Sequence, residues 1–318
     1  MKRILITGGL GFVGSHIVDA CVSRGDQVFS VDDLSTGRKE NGNTAVRNFE
    51  VDVADADALE KVFEEARPEI IFHCAALAAL QPSFERPDRY FEVNVGGTKN
   101  VLTLAKKYGT KRVVYSASSS AYGEHDAALE ESLPLPSRAL NPYASTKRMG
   151  EMLMRDMGKM TGGAETVCLR YFNVYGPRQS IGGAYPLVIA IFLKQRKEGK
   201  PLTVVPDGHQ RRDFVWVGDV ARANLLAAES AHVGGGEIIN IGSGENFSIW
   251  DVARLVLGAP KDAAPEELLR SGLCELAAPR RGEARKTRAD ISLAKELLGW
   301  EPQMAFPEGI AELKRLQS

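Results

Sequence analysis

Residues 4–14 read Ile4-Leu5-Ile6-Thr7-Gly8-Gly9-Leu10-Gly11-Phe12-Val13-Gly14, and this stretch decides the fold. A short apolar strand runs into a glycine-rich loop, and a helix-like segment follows from Ser15 to Val22. Glycines let the main chain approach a pyrophosphate, and the amino end of a helix presents N–H donors and a positive dipole to it. This order of strand, loop and helix is the one that a dinucleotide fingerprint requires. The stretch therefore predicts a dinucleotide site at the start of a parallel sheet.

The second predicted strand, at 27–31, ends at Asp32. A carboxylate there can accept hydrogen bonds from the adenosine ribose hydroxyls and would repel a 2′-phosphate. A glycine loop alone could be a plain turn, but its flanking strands and this acid favour nucleotide binding. The sequence therefore predicts NAD rather than NADP as the cofactor.

Strand-like and helix-like segments alternate through the first half of the chain. Strands are predicted at 46–51, 69–73, 112–116 and 165–171, and helices at 56–66, at 87–108 and around Tyr143. Such alternation predicts an α/β fold, a Rossmann-type doubly wound parallel sheet with helices on both faces. Ligands bind beyond the carboxyl ends of the strands in such sheets. The residues expected at that edge are the glycine loop, Asp32, Asp52, Ala75, Ser116 to Ser120 and Asn173.

After residue 172 the loops become longer and richer in Pro, Gly and Arg. We therefore predict an NAD-binding Rossmann domain at 1–172 and a smaller, interleaved C-terminal substrate-binding region at 173–318. A strand-like run at 237–241 is expected to return to the main sheet.

Composition favours an enzyme of the cytoplasm that acts on small molecules. The chain has 318 residues, is 44% hydrophobic and carries a formal net charge of −1, so neither nucleic acid nor an anionic membrane is an expected partner. No apolar run approaches the ~20 residues that span a bilayer, and the chain starts directly with a strand rather than a signal peptide. Four scattered cysteines predict buried reduced thiols, and five separated histidines predict no metal site.

Tyr143 and Lys147 form a candidate catalytic pair. Pro142 suits the first turn of a helix, so the two residues lie four apart on one helical face. An ammonium held against a phenol lowers its pKa, and a phenolate near neutral pH is a usable general base. Such a pair is common on solvated helices, so its significance depends on the nucleotide loop.

Several segments in this order resemble the extended short-chain dehydrogenase/reductase family, and in particular its nucleotide-sugar 4-epimerases. The resemblance covers nearly the whole chain. The segments are TGGLGFVG at 7–14, DDLSTG at 32–37, NVGGT at 94–98, SASSSAYG at 116–123, YASTK at 143–147, RYFNVYGP at 170–177, RRDFV at 211–215 and RRGE at 280–283.

The resemblance implies roles for individual residues. The catalytic residues would be Ser118, Tyr143 and Lys147. The residues that would bind NAD are Gly8, Gly11, Phe12, Val13, Gly14, Asp32, Asp33, Leu34, Ser35, Gly37, Asp52, Val53, Ala75, Ala76, Asn94, Ser116, Tyr143, Lys147 and Tyr171. The residues that would bind the nucleotide-sugar are Ser118, Ser119, Ser120, Tyr143, Asn173, Val188, Val205, Arg212, Arg280, Glu283 and Thr287.

The implied reaction is NAD-dependent inversion of C4 of a UDP-sugar, either UDP-glucose/galactose or the N-acetylhexosamine equivalents, through a 4-keto sugar. Dehydratases of this family carry an Asp-Glu pair just after the catalytic hydroxyl residue, and decarboxylases carry a Glu two residues after it. This chain has Ser119 and Ser120 there, which disfavours elimination. A dehydratase, decarboxylase or reductase remains an alternative, as does a non-catalytic NAD-binding sensor.

Three positions depart from the epimerase pattern. Ala78 stands where some epimerases have a lysine near the cofactor. Val205 replaces a common aromatic that stacks on the base. Thr287 replaces a large tyrosine, which leaves room for a 2-acetamido group.

The resemblance also implies a homodimer. A stripe of Met149, Met152, Leu153, Met157 and Met160 follows the catalytic pair at helical spacing. In the family the corresponding helix pairs across a two-fold axis. Ordinary core packing is the alternative interpretation of this stripe.

Overall fold

A seven-stranded parallel sheet forms the centre of the protein, in the order β11-β6-β5-β4-β1-β2-β3. The computed structural model describes residues 1–125, 127–160, 162–179, 188–279 and 284–317. All seven strands point the same way, so their carboxyl ends meet at one edge. The strands of this sheet are β1 (Arg3–Thr7), β2 (Gln27–Asp32), β3 (Arg47–Glu50), β4 (Ile70–His73), β5 (Arg112–Ser118), β6 (Glu165–Tyr171) and β11 (Gly235–Ile241).

Helices cover both faces of this sheet, as the alternating sequence predicts. On one face α1 and α8 pack against strand residues such as Ile6 and Leu169. On the other face α2, α5 and α6 enclose residues such as Leu5 and Val113. The helices of this part are α1 (Phe12–Ser23), α2 (Ala56–Ala66), α3 (Pro82–Glu85), α4 (Pro87–Phe91), α5 (Gly97–Lys107), α6 (Pro142–Gly158) and α8 (Val217–Glu229).

The later part of the chain builds a separate apolar cluster beside the sheet, around Phe192, Trp250 and Phe306. This part of the chain has the helices α7 (Val188–Lys197), α9 (Ile249–Leu257), α10 (Pro265–Arg270), α11 (Ser292–Leu298) and α12 (Phe306–Gln317). Of these, α11 packs against β11 and α8 of the main sheet rather than in the separate cluster. The short strands of this part are β7 (Asn173–Tyr175), β8 (Leu202–Val204), β9 (Arg211–Arg212), β10 (Phe214–Trp216), β12 (Phe247–Ser248) and β13 (Cys274–Leu276). They pair as β7 with β10, β9 with β12 and β8 with β13.

The predicted return of the run at 237–241 to the main sheet is confirmed, because β11 pairs in parallel with β6. The later part of the chain is thereby interleaved with the first. The boundary between residues 172 and 173 stays a prediction.

The single helix predicted at 87–108 is interrupted. A π-helical turn at Glu92–Gly96 separates α4 from α5. This turn contains Asn94, whose side chain bonds both the main chain of Leu77 (2.8 and 3.1 Å) and the hydroxyl of Thr146 on α6 (2.9 Å). Functional residues often accompany such bulges, since the extra residue redirects a side chain.

A buried ion pair holds α6 against β6. Arg170 donates from Nε and Nη2 to the two carboxylate oxygens of Glu151, each at 2.7 Å, and both side chains are almost fully buried. The Arg170 guanidinium also lies 4.6 Å from the ring centroid of Tyr122. The ion pair therefore fixes the position of the helix that carries Tyr143 and Lys147 relative to β6.

The predicted apolar stripe on α6 is divided between two environments. Leu153 and Met157 pack against the core, whereas Met149, Met152 and Met160 are 41%, 54% and 53% exposed. Core packing, the alternative interpretation of the stripe, therefore holds for Leu153 and Met157, whereas Met149, Met152 and Met160 lie outside the core.

The four cysteines are free thiols, three of them buried and Cys74 half-buried. In the part of the chain that the structure describes, no helix is both long enough and apolar enough to cross a membrane.

Candidate active site

The glycine loop between β1 and α1 is shaped for close approach of a ligand. Gly8 has φ +69°, and a Cβ added there would lie 2.8 Å from the main-chain nitrogen of Ala75. A Cβ on Gly14 would lie 2.1 Å from the carbonyl oxygen of Gly8. Only glycines fit these two positions, and they bring the loop and the start of α1 at Phe12 together. The first N–H groups of α1 can receive a pyrophosphate there, so the loop fits a dinucleotide.

Asp32 ends β2 beside this loop. Its carboxylate accepts hydrogen bonds from the N–H groups of Leu10 (3.0 Å) and Leu34 (2.9 Å). A Cβ on Gly37 would lie 2.4 Å from its Oδ1, so this glycine is needed for the carboxylate to fit. Burial raises the pKa of Asp32, and the main-chain hydrogen bonds oppose that rise. Asp33, next in the chain, accepts from the N–H (3.0 Å) and hydroxyl (2.6 Å) of Ser35.

The other predicted NAD residues lie at the same edge of the sheet. Asp52 accepts from the N–H of Ala54 at 2.8 Å and forms an ion pair with Arg89. Val53, next to it, is buried. The N–H of Ala75 donates to the hydroxyl of Thr7 at 3.2 Å, which fixes the loop after β4 to the end of β1.

Ser118 and Tyr143 meet at the end of β5. Tyr143 is half-buried, and burial raises the pKa of its phenol. A hydrogen bond from Ser118 opposes that rise. Ser118 itself accepts from the N–H (3.2 Å) and the hydroxyl (2.9 Å) of Ser120. Ser118 and Ser120 are therefore joined by hydrogen bonds, and Tyr143, another predicted site residue, lies beside Ser118.

Lys147 lies on the same helix as Tyr143 and is buried. Its ammonium donates to the carbonyl oxygen of Ser116 at 2.7 Å and lies 4.9 Å from the ring centroid of Tyr115. Burial lowers the pKa of Lys147 to about 8. The expected lowering of the Tyr143 pKa by Lys147 stays a prediction.

Below this group, a chain of hydrogen bonds runs into the sheet. The hydroxyl of Ser116 contacts Tyr171 Oη and Cys74 Sγ, each at 3.2 Å. Tyr171 Oη is in turn bonded to the amide of Asn224 on α8, at 2.8 and 2.9 Å. The predicted residues Ser116 and Tyr171 are therefore joined in one network that fixes the carbonyl to which Lys147 binds.

On the substrate side, Val205 and Arg212 line one cavity of about 180 Å³. Gln210 and Arg285 also line it. Arg212 donates to the carbonyl oxygens of Arg211 (3.1 Å) and Arg285 (3.2 Å). Val188 lies elsewhere, at the start of α7, where it packs against the apolar cluster of the later region. The predicted residues Arg280 and Glu283 lie outside the described residues.

Asn173 and Thr287 meet at the main chain of Asp213. Asn173 Nδ2 donates to the carbonyl oxygen of Asp213 at 2.9 Å. The Asp213 N–H donates to Thr287 Oγ1 at 3.4 Å, and Thr287 is 9% exposed. Two residues that are 114 positions apart in the sequence are thus joined by a third.

Sequence reasoning missed Asn141, which positions the helix that carries Tyr143 and Lys147. Its Oδ1 accepts from the N–H of Ala144 at 2.8 Å and caps α6, with Pro142 in the first turn. The sequence contained the signal, because asparagine is among the preferred N-cap residues and proline often follows it.

Comparison with known proteins agrees with this geometry. A model of the NAD dependent epimerase/dehydratase family matches residues 4–242. A putative UDP-glucose 4-epimerase of Methanocaldococcus jannaschii is 36% identical over 313 residues, which are 96% of this chain and 95% of that protein. The solved UDP-glucose 4-epimerase of Thermotoga maritima with UDP-glucose has a TM-score of 0.87 at 34% identity, and the alignment covers 99% of each chain.

Relatives with another reaction are also present. UDP-glucuronic acid decarboxylase 4 of Arabidopsis thaliana is 33% identical over 314 residues, which are 97% of this chain and 67% of that protein. The family is common to all three relatives, whereas the reaction is not. With a family model over most of its length and the fold that the glycine loop predicts, this chain belongs to the NAD dependent epimerase/dehydratase family, and its cofactor is NAD.

Proposed function

We propose that the protein inverts C4 of a UDP-sugar, either UDP-glucose/galactose or the N-acetylhexosamine equivalents. The observation that carries this proposal is the hydrogen bond from Lys147, one helical turn after Tyr143, to the carbonyl oxygen of Ser116 at 2.7 Å, which places α6 beside the end of β5 at Ser118. Serines also stand at 119 and 120, where other reactions need carboxylates.

Ser118, Tyr143 and Lys147 have separate roles in the proposed reaction. The Ser118 hydroxyl holds the C4 hydroxyl of the sugar, and Tyr143 removes its proton as general base. NAD, which the glycine loop and Asp32 would hold, would supply the hydride acceptor and donor for C4 of the sugar. Lys147, fixed on the Ser116 carbonyl, supplies a positive charge at the base of this site. Tyr143 then gives the proton back, so the reaction is balanced without any further reactant.

The surroundings of Tyr143 favour epimerisation over decarboxylation or dehydration. Elimination needs an acid or base beside the sugar, in addition to the tyrosine. The Ser118 hydroxyl accepts from the hydroxyl of Ser120 at 2.9 Å, so a serine rather than a carboxylate lies beside it at that position. Glu124 and Glu131, from the nearby loop, are bonded to the N–H groups of Arg285 and Asn240. Decarboxylation is the second candidate reaction, because UDP-glucuronic acid decarboxylase 4 is a relative of this chain.

Substrate recognition would come from the later region of the chain. Arg212 offers a guanidinium that suits phosphate oxygens, and it shares a cavity with Val205, the expected neighbour of the base. Arg280 and Glu283 would complete this subsite by family resemblance. Thr287, in place of a tyrosine, would leave space for a 2-acetamido group.

A homodimer belongs to the same proposal. Met149 and Met152 are exposed on α6, and Phe91 on the adjacent α4 is 38% exposed. Exposed apolar side chains on neighbouring helices are typical of an interface. A second copy of this chain would cover them across a two-fold axis.

The test compares the unmutated protein with Tyr143→Phe on a panel of UDP-, dTDP- and GDP-sugars, with products identified by mass and NMR. We expect C4 epimers from UDP-sugars, and a loss of turnover of about 10²–10⁴-fold in the variant. Release of carbon dioxide from UDP-glucuronic acid would support the decarboxylase instead. Near-normal turnover by Tyr143→Phe would refute the mechanism.

A further inference from the structure

Asp213 is a fully buried carboxylate directly before β10. Its Oδ1 accepts from the N–H (2.6 Å) and hydroxyl (2.8 Å) of Ser243, and its Oδ2 accepts from the N–H groups of Gly244 and Ala289, each at 3.0 Å. Burial raises the pKa of this carboxyl to about 6, and the same hydrogen bonds oppose the rise. Four donors compensate the cost of burying the charge.

The main chain of Asp213 holds two predicted substrate residues. Its carbonyl oxygen accepts from both the N–H (3.0 Å) and the side-chain amide (2.9 Å) of Asn173. Its N–H faces the hydroxyl of Thr287 at 3.4 Å. The preceding residue is Arg212, the predicted phosphate ligand.

Arg212 is held by its own hydrogen bonds and by its strand. Its guanidinium donates to the carbonyl oxygens of Arg211 and Arg285. The strand, β9, has two residues and pairs with the two residues of β12. Because Asp213 is attached covalently to Arg212 and is bonded to the loop at 243–244 and to Ala289, it joins β9 to the segments on either side.

Asp213 cannot touch the substrate itself, because it has no exposed surface. It therefore differs in role from Arg212 and Asn173, although it determines where both of them lie.

A second buried aspartate provides a comparison. Asp219 on α8 is 3% exposed and accepts from the N–H groups of Gln303 and Met304, each at 3.0 Å, and from Arg222 at 2.8 Å. It also ties a later segment to the fold, but none of these partners is a predicted substrate residue. Asp219 therefore shows what a purely structural carboxylate does in this protein.

We infer that Asp213 is a positioning residue for nucleotide-sugar binding, which sets Arg212, Asn173 and Thr287 relative to one another around the bound nucleotide-sugar. This inference rests on the proposed function. Binding groups need to be held within a fraction of an ångström, and a displacement of about 1 Å can cost about 10²-fold in activity.

The experiment compares Asp213→Asn with Asp219→Asn as NAD-loaded proteins. The asparagine replaces one oxygen by an NH₂ group, which faces donors that it cannot satisfy. We expect Asp213→Asn to weaken binding of UDP alone, measured by calorimetry, by about 10- to 100-fold and to raise KM more than it lowers kcat. NAD content should be unchanged. Asp219→Asn should lower the melting temperature and leave UDP affinity unaltered.

Ser243→Ala gives a milder perturbation that decides the question if Asp213→Asn does not fold. It removes one hydroxyl donor from Asp213 and keeps the main-chain N–H. The loss of one hydrogen bond predicts a UDP affinity about 2- to 10-fold weaker.

Two outcomes would overturn the inference: a lower melting temperature with unchanged UDP affinity in Ser243→Ala and Asp213→Asn, or equal losses of UDP affinity in Asp213→Asn and Asp219→Asn. If the unmutated protein binds no UDP, the proposed function fails rather than this inference alone.

Discussion

Ser118→Ala should move the pH dependence of the reaction to higher pH. Ser118 donates the hydrogen bond that opposes the burial-induced rise in the pKa of Tyr143. A hydrogen bond to a charged group contributes about 1.5–3 kcal/mol, and one pKa unit corresponds to about 1.4 kcal/mol. Its removal should therefore raise the pKa of Tyr143 further and lower activity at a fixed pH on the acid side of the profile by about 10- to 100-fold. Tyr143 acts in its deprotonated form, so activity increases as pH rises through this pKa. A higher pKa therefore moves the acid limb, the low-pH side of the pH–activity profile, to higher pH.

The assay is the pH profile of kcat/KM, which reports the pKa values of the free enzyme, from about pH 5 to about pH 10. The UDP-sugar that the unmutated protein converts fastest serves as substrate. Ser118→Thr keeps the hydroxyl and should keep the limb near its original position. Ser145→Ala is a matched control, because the Ser145 hydroxyl contacts the carbonyl of Asn141 at 3.4 Å rather than Tyr143. An acid limb that stays in place in Ser118→Ala, or moves equally in Ser145→Ala, would refute the reasoning.

Four more predictions follow from named contacts. Asp32→Ala should reduce the preference for NAD over NADP in direct binding measurements; NADP binding as tight as NAD by the unmutated protein would contradict this. Glu151→Gln leaves the buried guanidinium of Arg170 without its carboxylate, so the free energy of unfolding in denaturant should fall by about 3–5 kcal/mol. An unchanged midpoint of the denaturant unfolding transition would show that the ion pair does not stabilise the protein. Thr287→Tyr should abolish turnover of UDP-N-acetylgalactosamine and spare UDP-galactose. Equal effects on both sugars would refute the assignment of Thr287 as the residue that leaves space for the 2-acetamido group. Light scattering should give about twice 34.6 kDa for the unmutated protein and a smaller mass for Met152→Glu; a 34.6 kDa species in both would exclude the dimer.

The sequence was sufficient to predict those elements whose structure depends only on neighbouring residues. The apolar run at 4–6 and the glycines that follow predict β1 and the loop, because main-chain sterics and apolar periodicity act over a few residues. The helix from Ala56 to Ala66 and the strand from Glu165 to Tyr171 have the predicted bounds for the same reason. Lys147 follows Tyr143 by one helical turn, so their common face needed no tertiary information.

The environment of the catalytic pair could not be predicted in the same way. The expected effect of Lys147 on Tyr143 depends on where the ammonium binds, and the carbonyl of Ser116 comes from a strand 31 residues away. Sequence spacing on α6 predicted an apolar stripe, but the sheet beneath the helix covers Leu153 and Met157 and leaves Met149 and Met152 outside.

The sequence by itself determined the Rossmann-type sheet, the NAD loop and the spacing of Tyr143 and Lys147. Only the tertiary structure decided how the substrate side is assembled. Asn173 and Thr287 reach Asp213 across 40 and 74 residues of sequence, and Arg212 shares its cavity with Arg285. Contacts of this range depend on how β7, β10 and the segment at 284–291 pack against one another. The physical reason is that glycine geometry and helical period are set within a few residues, whereas buried hydrogen bonds between distant segments exist only once the chain has closed around them.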